Sequence, residues 1–343
     1  MKTVVLMVAL AVATPAVARD LQVPADKGWQ HAQTGLVLMS RLAGMRRTGL
    51  SDSTQGEQDV AAQFAAPDGS VQATLYLFHP DVADVSLWFD RSQLALRRRD
   101  IFRNATAATA QPIGFAAAGA HAATSLRQLF ATPGSALSST GLAIVPLGEW
   151  VVSIRISATT LNAAQLDTRL QQLIAEIRWP AADTQARIAA PMTACTTPLQ
   201  FGKAKVAKPS GADLLMTLMM QSVAAKARAD DKTPTPPSPP SLWCRAAEAN
   251  ADYGVYRSDS GAQGYVLALG DAGRVVSVYP SVMGMVDKTG TYTVSLQDVD
   301  GTVSAYPSFT ALPTPSQVWA LVGSGKRTGM AKGGAITIDP KAM

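Results

Sequence analysis

Apolar and polar residues alternate along Val60, Ala62 and Phe64, set against Ala61 and Gln63. The alternation resumes along Val71, Ala73, Leu75 and Leu77, set against Gln72, Thr74 and Tyr76. Between them Pro67-Asp68-Gly69 carries turn chemistry, so the two runs predict an antiparallel hairpin. Further strands are expected at 125–130, 142–145 and 150–156, the last with Val152, Ile154 and Ile156 on one face. The period then becomes helical through Leu166, Leu170, Leu173, Ile174 and Ile177. Asn162 and Gln165 suit the first turn of this helix, and Trp179-Pro180 ends it. Its single apolar stripe implies packing across a sheet. An earlier helix is expected to open at Asp81 and Asp84, after Pro80, and to run to about residue 104. Its apolar positions form no single stripe. Residues 19–180 thus predict an α+β domain, an antiparallel sheet flanked by helices.

Residues 181–241 read as a connector. Ser210 and Asp213 make a capping box, and Leu214, Leu215, Leu218, Met219 and Val223 give an apolar face before Lys226 and Arg228. Thr233-Pro234-Thr235-Pro236-Pro237-Ser238-Pro239-Pro240 is an extended spacer, a reading favoured over a ligand for a proline-reading domain. Residues 242–343 predict a small β-rich domain. Tyr265, Leu267 and Leu269 lead through Gly270-Asp271-Ala272-Gly273 to Val275, Ser277 and Tyr279, and a second hairpin turns at Asp298 to Gly301. Thr314-Pro315-Ser316-Gln317 opens one short helix, and a last strand is expected at 335–338.

The first residues change the picture from fold to location. Lys2, the apolar run from Val4 to Ala13, Pro15 and Ala16-Val17-Ala18 form a secretory signal, so residues 1–18 are expected to be removed. No cysteine follows the run to take a lipid, and no later run reaches the roughly 20 apolar residues of a membrane span. The expected location is the periplasm, or the medium if the protein is secreted. A net charge of +5 on 343 residues is too mild to argue for nucleic acid. Arg97-Arg98-Arg99 cannot share one helix face and reads as a solvated surface. In an oxidising compartment the only two cysteines, Cys195 and Cys244, are expected to form one disulfide, worth about 4 kcal/mol by loop closure.

Thr34-Gly35, the run Leu42-Ala43-Gly44-Met45-Arg46-Arg47, Asp59 to Phe64, Thr74 to Phe78 and the helix ending in Trp-Pro form a pattern across the first region. In this pattern it resembles exported proteobacterial proteins of unknown function with a domain similar to the PsbP and DcrB group. The likeness covers less than half the chain. It implies a sheet flanked by helices and an accessory or binding role, and it carries over no functional residue.

Candidate chemistry is sparse. His79-Pro80-Asp81 with Asp84 and Asp90 is where histidine and carboxylates crowd together, a combination suited to metal binding or proton transfer. The same aspartates also serve as helix-opening residues, and that structural reading is favoured. Gly323-Ser324-Gly325-Lys326 lacks the first glycine and the Ser/Thr of a phosphate loop, and Asp298-Val299-Asp300-Gly301 lacks the flanking ligands of a calcium loop. With no catalytic residue, cofactor or metal ligand nominated, the favoured expectation is a non-catalytic binding or accessory module for a protein or cell-envelope component. The alternatives are a hydrolytic or metal-assisted enzyme near His79 and Asp81, and a structural part of an envelope assembly.

Overall fold

The hairpin expected from alternation is β2 (Asp59–Ala65) paired with β3 (Val71–Phe78), with β1 (Met45–Asp52) on the outer side of β2. These assignments come from a computed structural model that describes residues 18–117, 119–181, 187–229, 242–247, 250–259 and 263–340. The signal segment, apart from Ala18, and the proline spacer lie outside the described residues.

After helix α1 (Val85–Arg97) the chain adds β4 (Ser125–Ala131), β5 (Ser139–Leu147) and β6 (Trp150–Ala158). Strand β6 returns to pair antiparallel with β3, aligning Ile154 with Leu75 and Ile156 with Ala73. The sheet that results has ten strands, several of them short. One face holds Ala62, Leu75, Ala143 and Ile154 and is covered by α2 (Ala163–Glu176) through Leu166, Leu170 and Leu173. Asn162 and Gln165 form a reciprocal capping box at the start of α2. The opposite face presents Phe78, Leu126, Phe130, Leu142 and Val151 to α1.

Helix α3 (Gly211–Ala229) leads to the second sheet, built from β7 (Trp243–Ala247), β8 (Tyr253–Ser258), β9 (Tyr265–Leu269) and β10 (Val275–Pro280). It continues through α4 (Val282–Val286), β11 (Tyr292–Gln297), β12 (Val303–Phe309), α5 (Pro315–Gly323), β13 (Gly329–Lys332) and β14 (Ala335–Ile338). All eight strands pair in sequence order as one antiparallel meander. On one face Val255, Leu267, Val276 and Val294 pack with Val318 of α5. On the other, Tyr256, Val266, Ala268 and Val275 join the apolar cluster of α1 and the first sheet. Gly273, at φ +87°, marks this approach, because a Cβ there would lie 2.8 Å from the Phe78 ring.

Among the described residues, strand residues far outnumber helical ones. The fold is mostly β, which corrects the expected α+β class of a helix-flanked antiparallel sheet followed by a small β-rich domain. Two physical reasons account for the error. Strands such as Arg19–Asp20, Arg41–Leu42 and Thr106–Ala107 widen the first sheet but are too short to show a period. In the last hundred residues each hairpin is legible, yet no local pattern says that the hairpins join edge to edge into one large sheet. Helix α1 also stops at Arg97, short of residue 104, and a 3₁₀ turn, Asp100–Phe102, follows it.

Candidate functional site

The three polar residues nominated near the end of β3 go to three separate tasks. His79 stacks its ring 4.8 Å from Trp150. Asp81 faces the side-chain amide of Gln297 in the second sheet, and its charge adds to burial in pushing the Tyr279 hydroxyl up to about 12. Asp84 is the N-cap of α1, accepting from the Leu87 amide at 2.8 Å and pairing with Arg187 at 3.2 Å. Burial raises its pKa above the usual carboxylate range, and the Leu87 amide and Arg187 oppose that rise. Among the described residues no group of three or more His, Cys, Asp or Glu side chains is arranged to hold a metal ion.

Sequence patterns gave no hint of His31, which is fully buried against Trp150 on a ring separation of 4.7 Å. Its Nε2 lies 3.0 Å from the Glu57 carbonyl, which can only accept, so Nε2 carries the proton. Nδ1 then accepts from the Thr34 amide and hydroxyl. Burial lowers its pKa and favours this neutral form.

Asp90, grouped by sequence with His79, instead joins the two sheets. It accepts from the Tyr256 hydroxyl at 2.7 Å and from Arg245 Nε at 3.1 Å, with Arg245 Nη2 as a further donor. Hydrogen bonding to Asp90 raises the Arg245 pKa, while burial pushes that of Tyr256 far above its ordinary value. Arg91 beside it is fully buried and donates to the carbonyls of Gly270, Asn250 and Ala251 at 2.8, 3.3 and 3.4 Å. Arg155 of the first sheet pairs with Asp271 of the second. These groups pair across the seam between the sheets, which is a positioning role. The expected disulfide is present: Cys195 is joined to Cys244 in the edge strand β7, and the Cys195 amide donates to the Arg245 carbonyl at 2.9 Å.

An open recess of about 270 Å³ between the turns around Asp100 and Pro133 lies at the small end of ligand pockets.

The most unusual surface is apolar. Helix α3 buries Leu214 and Leu218 against Val303, Ala305 and Ala331. Gly329 allows this close approach, since a Cβ there would lie 2.8 Å from Leu218 Cδ1. On the far side of the same helix Leu215, Met216, Met219, Met220 and Val223 are exposed. The spacings of three and four among them keep them within about 140° of the helix circumference. Helix α4 lies beside α3 and adds Val282, Met285 and Val286, the last two 61% and 68% exposed. Asp213 fastens the two helices together. It accepts from Ser281, the N-cap of α4, and from Ser308 of β12, so it does not complete a reciprocal box with Ser210.

The chain matches no protein-family model, and no curated protein or solved structure shows significant similarity to it. Among the described residues no helix is long and apolar enough to cross a membrane.

Proposed function

We propose that the protein is an exported, non-catalytic binding or accessory module of the periplasm or cell exterior, contacting a protein or envelope component. The observation that carries this reading is the exposed apolar face of α3 and α4, because large contiguous apolar patches are uncommon on surfaces that meet only water. The N-terminal signal pattern and the Cys195–Cys244 bridge support an oxidising compartment. Cross-linking of the exported protein in intact cells tests the proposal. Wild type is expected to give a discrete adduct with an envelope component that Met219→Glu with Met285→Glu loses; an adduct pattern indifferent to both substitutions would overturn it.

A further inference from the structure

Eight apolar side chains of the neighbouring helices α3 and α4 stand exposed, five on α3 and three on α4. Along α3 the stripe from Leu215 to Val223 is about 12 Å long at 1.5 Å per residue. The segment entering α3 lies against β12 through Val206 and Phe309 and carries exposed Lys208 close to the helix start. Lys208 comes three residues before α3, and exposed Lys288 comes two residues after Val286 of α4, next to the acidic Asp287. Apolar side chains bordered by lysines match the acyl boundary and the anionic headgroups of a bilayer surface. A second copy docked symmetrically on this face would set the lysine borders against each other, which favours a lipid partner over self-association.

We infer that the α3–α4 face rests on membrane surfaces rich in anionic phospholipid, with Met219, Met220, Val223, Met285 and Val286 entering the interface and Lys208 and Lys288 meeting headgroup phosphates. This rests on the proposed binding role and names its partner class. Binding should weaken with salt, because exposed lysines act through a screened field.

The test is co-sedimentation of the processed full-length protein with vesicles of phosphatidylcholine alone and of phosphatidylcholine mixed equally with phosphatidylglycerol. Sedimentation with the mixed vesicles only, falling as salt rises, is expected. Lys208→Gln with Lys288→Gln should weaken it about fivefold per lysine. Met219→Glu with Met285→Glu should weaken it at least about tenfold. Both pairs are exposed, so unchanged thermal melts verify that the variants are folded. Absence of sedimentation, equal sedimentation with both vesicles, or variants that bind as wild type would overturn the inference. So would a dimer that the methionine pair dissolves in protein lacking vesicle affinity. If vesicles fail to bind but the methionine pair still abolishes a cross-linked protein adduct, the lipid assignment falls while the binding role stands; if both fail, both are withdrawn.

Discussion

Helix α1 carries Ser86, Asp90, Arg91 and Ser92, yet all four are buried. Helix α3 carries Leu215, Met216, Met219, Met220 and Val223, yet all five are exposed. The difference lies in what surrounds each helix. The first sheet lies on one side of α1 and the second sheet on the other, so Asp90 and Arg91 of α1 find partners in protein: a tyrosine, an arginine and three carbonyls. Helix α3 covers only the end of the second sheet and has described protein on one side. For these two helices burial follows layer position more than residue type. A buried charge there marks a seam, and an exposed apolar stripe marks an unfilled layer.

The largest effect on that comparison should come from cutting the layers apart. The division into units at 19–180 and 242–343 stands as a proposal. On it, a fragment from Arg19 to Thr184 keeps the private cluster beneath α2 but strips α1 of Tyr256, Val266 and Val275. It is expected to melt cooperatively, well below the whole chain, and to bind a hydrophobic dye. A fragment as stable as the whole chain would show that the seam contributes nothing. Next in size, Cys195→Ser with Cys244→Ser should lower stability by about 4 kcal/mol in urea denaturation, from a loop closed over a separation of 49 residues. Arg91→Ala removes donors from three carbonyls and opens space at the seam, and a loss of about 3 kcal/mol is expected. A negligible loss would mean that Arg91 is exposed in solution, and the contrast with α3 would fail.

A smaller effect is tied to pH. His31 is held neutral with its pKa below the ordinary 6.5, so the unfolded chain takes up that proton more readily. Its contribution to stability is therefore present above about pH 6.5 and declines as pH falls below it, by at most about 1.4 kcal/mol per pH unit. Stability measured at several pH values should show a flatter acid limb for His31→Gln. The smallest change in stability belongs to α3: Met219→Glu should shift it by no more than about 0.5 kcal/mol, as expected for an exposed position. A large loss would place Met219 in a packed core and remove the unfilled layer.

These differences also explain what could be read in advance. Helix α2 touches a sheet on one side, and its residues Leu166, Leu170, Leu173 and Ile174 show the one stripe that such contact demands. Helix α1 shows no clean stripe because consecutive residues from Val85 to Ser92 are buried on several sides. For α3, apolarity alone cannot separate Leu214 and Leu218, which pack inward, from Leu215 and Met219, which do not, so one face was expected where two exist. The capping residues of α2 and α5 act locally and were legible. Asp90 gave no sign of its seam role, because Arg245 and Tyr256 lie more than 150 residues away in the chain.

Four of the exposed side chains on α3 and α4 are thioethers: Met216, Met219, Met220 and Met285. A peroxide transfers one oxygen atom to such a sulfur and leaves as water, giving a polar sulfoxide where an apolar side chain stood. Because none of these four packs into an interior, the fold has little to lose from the change while the face loses its apolar character. Enzymatic reduction of the sulfoxide would restore it. An oxidant would thus change the chemistry of this surface without any change of sequence.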